Sequence, residues 1–204
     1  MTRRRAALVI CLLAAVAPCR TPADDLPPPP AGRTLTYACS GESGHERRYT
    51  VRSVVGGVVT YDIAVDGVPG YAVKPLWLTG TSLYRETETG KGGKSWITAG
   101  LENFNGLRTL AIGARYTGWI IEKSAGGAVT RSSVAVAVVD ERDYRSDALG
   151  PLRVIVIEET WTRGGRKQTG IAYVSRLHAA VAYWRRDGGS GIIEECRLTA
   201  LRDP

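Results

Sequence analysis

The sequence predicts an all-β protein: a single curled antiparallel sheet or barrel of roughly ten strands, joined by glycine-rich hairpins. Three observations carry that expectation. Apolar and polar residues alternate with period two, as in Val59, Tyr61, Ile63 and Val65 interleaved with Thr60, Asp62, Ala64 and Asp66. Glycine turn signals separate such runs at Gly56-Gly57, Asp66-Gly67-Val68-Pro69-Gly70, Gly126-Gly127, Gly164-Gly165 and Gly188-Gly189. The composition holds 24 Gly but a single Phe and a single Met, as short strands and tight turns require.

The chain opens differently from its body. Arg3, Arg4 and Arg5 precede an apolar run of twelve residues, Ala6 to Ala17, which Pro18 ends. That length suits the apolar region of a signal peptide and is too short to span ~30 Å of hydrocarbon as a helix. Residues 1–23 are therefore expected to be a signal peptide, cut before Cys19 or after Ala23. Val16-Ala17-Pro18-Cys19 resembles a lipobox, in which the cysteine becomes the lipidated first residue, although Pro18 stands where that motif has Gly, Ala or Ser. Cutting after Thr21-Pro22-Ala23 instead keeps small residues at the two recognition positions. Residues 24–32 follow as a Pro-rich linker, where Pro27 to Pro30 hold the backbone extended at roughly 3 Å per residue. A single β domain is expected over residues 33–204.

Within that domain the first hairpins allow a register to be argued. A three-residue loop, Val55-Gly56-Gly57, opposes Val51 to Tyr61 and Tyr49 to Ile63, keeping apolar faces together. A five-residue loop from Asp66 to Gly70 would match Val65 with Tyr71 and Ile63 with Val73. Further strands are expected at 82–88, 107–112, 116–123, 129–139, 152–161, 167–174, 178–186 and 192–201, while 96–110 is ambiguous and has room for a helical turn. Val154, Ile155, Val156 and Ile157 make 152–161 apolar on both faces, so that strand is expected to be central.

The formal charge of +7 suggests a nucleic-acid partner until it is located along the chain. Setting Arg3, Arg4 and Arg5 aside leaves 24 basic residues against 20 acidic ones. These are interspersed, as in Asp140-Glu141-Arg142-Asp143, which is a solvated surface rather than a phosphate-tracking stripe. No nucleic-acid partner is expected. Nor is a cofactor, a metal or a catalytic residue. His45 lies in a turn and His178 near a strand start, with no nucleophile elbow in the chain. Glu158-Glu159 and Glu194-Glu195 are neighbours on strands and point to opposite faces, so neither pair is an acid–base dyad by itself. Gly90-Lys91-Gly92-Gly93-Lys94-Ser95 lacks the first glycine spacing of a phosphate loop.

Two cysteines invite a bridge. Cys11 is lost with the leader, and Cys19 is removed as a thiol by lipidation or excision. Cys39 and Cys196 then remain, in an oxidising compartment, each on the apolar side of its strand. A disulfide between them would join the first strand to the last and so close the sheet. Trp77, Trp119 and Trp161 lie near strand ends, where they could line a cavity for an apolar ligand; filling the core is the alternative.

Several short segments resemble the β-rich bacterial cell-envelope proteins (periplasmic or lipoprotein) that are known only as domains of unknown function. They are Ala31-Gly32-Arg33-Thr34-Leu35-Thr36-Tyr37, Leu107 to Gly113, Gly150-Pro151-Leu152-Arg153-Val154 and Tyr173 to Val181, the last with Ser175 and His178 in place of a Pro and a Gly. The resemblance extends over about half of the body and is carried by these short segments. The resemblance implies a curled antiparallel sheet and carries over no catalytic residue. Together these readings predict a non-catalytic protein of the periplasm, or a lipoprotein of the outer membrane. It would bind an envelope protein or an apolar ligand, or act structurally, and touch the membrane only through an anchor at Cys19. The alternative is a periplasmic hydrolase of an envelope polymer, with His45 or His178 beside a Ser, Asp or Glu.

Overall fold

The computed structural model describes residues 27–41, 45–74, 78, 79, 81, 86–89, 95–99, 110–123 and 126–204. Twelve strands follow one another: β1 (Thr34–Gly41), β2 (Glu46–Val55), β3 (Val58–Val65), β4 (Val68–Lys74), β5 (Glu86–Thr89) and β6 (Ser95–Ala99) in the first half. The second half holds β7 (Arg115–Lys123), β8 (Val129–Ser146), β9 (Gly150–Arg163), β10 (Arg166–Ser175), β11 (Ala180–Gly188) and β12 (Gly191–Arg202). Each strand pairs antiparallel with the next, and β12 pairs back onto β1, so the hydrogen-bonded ring closes as a barrel. Among the described residues its lightest joint is β5–β6, where one register pair, Glu88 with Ser95, links the strands. The long β8–β9 ladder, from Ser133–Thr162 to Ser146–Gly150, stiffens the opposite side.

Alternation drives the burial. Leu35 and Tyr37 on β1, Tyr49 and Val51 on β2, and Val59, Tyr61 and Ile63 on β3 all point inward and are buried. Tyr37, Tyr49 and Tyr61 meet edge to face with centroids 5.8 and 5.7 Å apart, and Trp184 packs on Tyr37 at 4.4 Å. Val134, Val136 and Val138 of β8, Ile155 and Ile157 of β9, Val174 and Leu198 complete the interior. On β9 Val154 and Val156 are buried as well, on the outer face. A second, external cluster overlies that face: Tyr144, Tyr173 and Tyr183, with centroids 5.1 and 5.0 Å apart.

The first hairpin keeps the expected core register, with Val51 opposite Tyr61 and Tyr49 opposite Ile63, but reaches it another way. Its loop has two residues, Gly56 and Gly57, both with positive φ, and Val55 pairs with Val58. A bulge at Arg52 restores the parity. The second hairpin corrects the expected register. Asp66 and Gly67, at φ 47° and 79°, form a two-residue turn that pairs Val65 with Val68 and Ile63 with Gly70. Tyr71 and Val73 therefore face outward, and Ala72 and Lys74 face inward. Turn chemistry overrode apolar matching there, because Asp-Gly fits the left-handed two-residue turn so well.

Other boundaries also shift. Ser95–Ala99 is a strand, whereas the described part of the expected strand 107–112 is turn and irregular chain in which Leu110 is buried. β11 begins at Ala180, since Arg176 to Ala179 form the turn before it. Residues 82–85 and 90–94 lie outside the described chain. The end of the linker is docked: Pro29 is buried, and Gly32 N–H donates to the Val51 carbonyl at 2.8 Å. Arg33 then grips Asp203 at 2.5 Å and the His178 carbonyl at 2.6 Å. We call the end of the barrel where β1 starts the near rim, and the opposite end the far rim.

Candidate functional site

Towards the far rim the interior changes from apolar to ionic. One register row runs across four strands as Glu159 (β9), Gly170 (β10), Arg186 (β11) and Glu194 (β12). All four are on the inward parity of their strands, which is why charge is carried into the barrel. Glu194 is fully buried between two arginines: Arg47 Nη2 lies 2.5 Å from Oε1, and Arg186 Nη1 lies 3.4 Å from Oε2. A buried carboxylate costs several kcal/mol unless it is paired, on the order of what two guanidinium groups return. Gly170 leaves the gap that the Trp161 ring fills, since a Cβ there would stand 2.8 Å from the ring. Arg186 in turn lies over Trp161, 5.5 Å from its centroid.

Lys74 enters the same interior from β4. Its Nζ donates to the carbonyls of Leu78 and Thr81 at 2.7 and 3.0 Å, pinning that segment inside the near rim. Burial pushes the Lys74 ammonium well below the usual lysine range, and the Glu159 charge works against that shift. Tyr37 Oη shares a hydrogen bond of 2.7 Å with Thr79 Oγ1 and donates to the Val181 carbonyl at 3.0 Å. Burial raises the Tyr37 phenol above its ordinary range, so it acts as a neutral donor. Trp184 Nε1 is buried with no hydrogen-bond partner among the described residues.

The expected disulfide is present. Cys39 and Cys196 are direct register partners on β1 and β12, with Cα atoms 4.1 Å apart and the sulfurs bonded. Glu194 brings a carboxylate within 4.8 Å of both sulfurs, which is metal-ligand spacing. The sulfurs are bonded to each other and the carboxylate faces two guanidinium groups, so the trio serves the structure instead. Glu159 and Glu194 are three strand spacings apart, roughly 14 Å along the row, too far for paired carboxylate chemistry.

Two of the three tryptophans lie among the described residues, on opposite faces of the sheet. Trp161 is inward and buried. Trp119 is corrected: it is 41% exposed on the outer face, with the Arg131 guanidinium stacked 3.9 Å from its ring centroid. It borders an open external groove of about 380 Å³ with Thr117, Ser133, Thr160 and Thr162. Trp77 and Cys19 lie outside the described residues. Among the described residues neither histidine side chain is hydrogen-bonded to a nucleophile. His45 is exposed, and its backbone N–H donates to Asp66 Oδ1 at 2.9 Å. His178 meets Ser175 Oγ through its backbone N–H at 3.3 Å, and Ser175 is itself buried.

Sequence reading missed the ionic row. The signal was present as parity: Glu159 shares a face with Ile157 and Trp161, and Glu194 with Cys196 and Leu198. Which strands would place those charges opposite one another was not legible from parity alone.

No family model matches the chain, and no curated protein matches it. Among solved structures it is similar to the crystal structure of the hypothetical lipoprotein YmcC from Escherichia coli K12, with a TM-score of 0.54 and 16% identity. The likeness covers 84% of this chain and 85% of that one. At that identity the two share a fold: an antiparallel β architecture that runs through nearly the whole of both chains.

Proposed function

We propose that this chain is an exported protein of the bacterial envelope, non-catalytic, whose barrel serves as a rigid scaffold for another envelope protein. The Cys39–Cys196 bridge carries the compartment part of that reading, because structural disulfides persist where thiols are oxidised. The fold it shares with a hypothetical lipoprotein agrees with it, as does the signal-like leader ending at Cys19 or Ala23. The described interior is lined by one cluster of buried apolar side chains and by the ionic row, and this mixed lining favours a partner on the outside over an apolar ligand within.

The external tyrosines favour that partner surface. Tyr144, Tyr173 and Tyr183 form one half-buried cluster flanked by Arg142 and Arg197, and tyrosine and arginine dominate interface energetics. A photo-crosslinking residue at Tyr173 in living cells tests the reading. We expect a discrete protein adduct that is absent when the crosslinker sits at Val129 on the far rim. No adduct from Tyr173, or equal adducts from both sites, would overturn it.

A further inference from the structure

We propose that the near rim of the barrel is a lipid-facing surface that rests on a membrane with anionic headgroups. This rests on the reading that the chain is exported to the envelope. The first observation is where the leader and linker join the described body. Twenty-six residues precede the described body, and they join it at the near rim through Pro29, Gly32 and Arg33. From Cys19 to Pro29 the chain reaches at most roughly 35 Å, so an anchor there keeps this rim close to the bilayer.

The second observation is what stands beside that junction. Val55 is 74% exposed, Ile112 59% and Leu177 85%; Val55 ends β2 and the other two occupy turns, all at the near rim. Single exposed apolar residues are common on any surface. These three are tied to the tether root instead. Val51, four residues before Val55, exchanges backbone hydrogen bonds with Gly32 and Arg33. Arg33 holds the His178 carbonyl in the turn that bears Leu177, and Arg176 of that turn holds the Leu110 carbonyl two residues before Ile112. The apolar tips and the tether therefore share one hydrogen-bonded stretch of rim.

Charge agrees with the apolar pattern. Arg115, Arg145 and Arg202 are exposed on this rim, against Asp147, while Asp203 is occupied by Arg33. Apolar tips between basic side chains are what interfacial binding to anionic lipid requires, since burial of the tips and attraction to headgroups add.

The test uses the Cys19→Ala chain, exported and purified, with only molecules whose N-terminus lies beyond residue 18 by mass spectrometry taken forward. Cleavage after Ala23 is the processing expected once Cys19 is removed, and it is scored separately from the rim. Vesicles of phosphatidylethanolamine with one quarter phosphatidylglycerol are the probe, read by co-sedimentation. We expect binding that weakens with salt and is lost by on the order of tenfold or more in Val55→Ser/Ile112→Ser/Leu177→Ser. The far-rim pair Val129→Ser/Ile192→Ser, also exposed, should bind as the parent does. Failure of the parent to bind, parental binding by the triple variant, or an equal loss in the far-rim pair would each overturn the proposal. All variants lie in exposed turns or strand ends, and a far-ultraviolet circular dichroism spectrum like the parent's reports that each has folded.

Discussion

The inside and the outside of this barrel use the same ions to different ends. Outside, arginines sit beside carboxylates on one strand or its neighbour: Arg142 with Asp140 at 2.8 Å, Arg197 with Glu195 at 2.8 Å, Arg153 with Asp143 at 3.3 Å. Water and salt screen those pairs, and such contacts contribute about 0–1 kcal/mol each. Inside, Arg47 and Arg186 close on a Glu194 carboxylate that no water reaches. The contact distances are alike, but removing one inner partner strands a buried charge. The difference teaches that an ion pair's consequence is set by what surrounds it, more than by its length.

The largest expected effect breaks the inner side at the seam. Cys39→Ser/Cys196→Ser opens a loop whose ends are 157 residues apart. The chain-entropy account puts the loss at roughly 5 kcal/mol, less any relief in the native state. Urea unfolding of oxidised protein against the double variant reads it directly, and a shift under about 1 kcal/mol would mean the ring is held without the bond.

Next comes Glu194→Gln, which keeps the shape and leaves Arg47 and Arg186 facing an uncharged amide. A loss of about 3–5 kcal/mol is expected, against less than about 1 kcal/mol for Arg142→Ala on the outside. Equal losses in the two variants would erase the comparison. Gly170→Ala is smaller in chemistry yet should still cost about 1–3 kcal/mol, because the new methyl meets the Trp161 ring. Tryptophan emission should shift with it, since the ring must move.

The smallest effect belongs to acid. Asp66 accepts the backbone N–H groups of Glu46 and His45, and Asp140 accepts that of Glu141; both carboxyls are held below the usual range, by those bonds first. Asp203 is lowered by its hydrogen bond from Arg33. A carboxyl depressed in the folded state contributes stability that is full above its unfolded value near about 4 and is lost as pH falls through the folded value. These three carboxyls therefore contribute no slope from about pH 5 to 8 and a decline below about pH 4. Asp66→Asn, which keeps the left-handed turn, should make that decline shallower; an unchanged acid limb would remove Asp66 from the account.

How much of this was legible in the sequence depends on the kind of signal. Parity identified Tyr49, Val51, Tyr61 and Ile63 as one face, and two cysteines at the first and last strands predicted closure of the ring. Both are local or topological facts that alternation states outright. Register was harder: a bulge at Arg52 and a two-residue turn at Asp66-Gly67 each move the pairing by steps that apolar matching does not sense. The second of these turned Lys74 inward. The ionic row was hidden for a further reason, because Arg47, Glu159, Arg186 and Glu194 are ordinary surface residue types whose pairing exists only once the ring is closed. Trp119 looked like Trp161 in composition and faces the other way.

The central claim, an exported barrel sealed across its first and last strands, meets its most direct test in one sample. Protein taken from its own cells, denatured without reductant and treated with a thiol reagent, is weighed intact. The account predicts a chain that begins at an acylated Cys19 or at Asp24 and takes up no reagent at Cys39 or Cys196. A chain that still carries Met1 and is alkylated at both cysteines would contradict it.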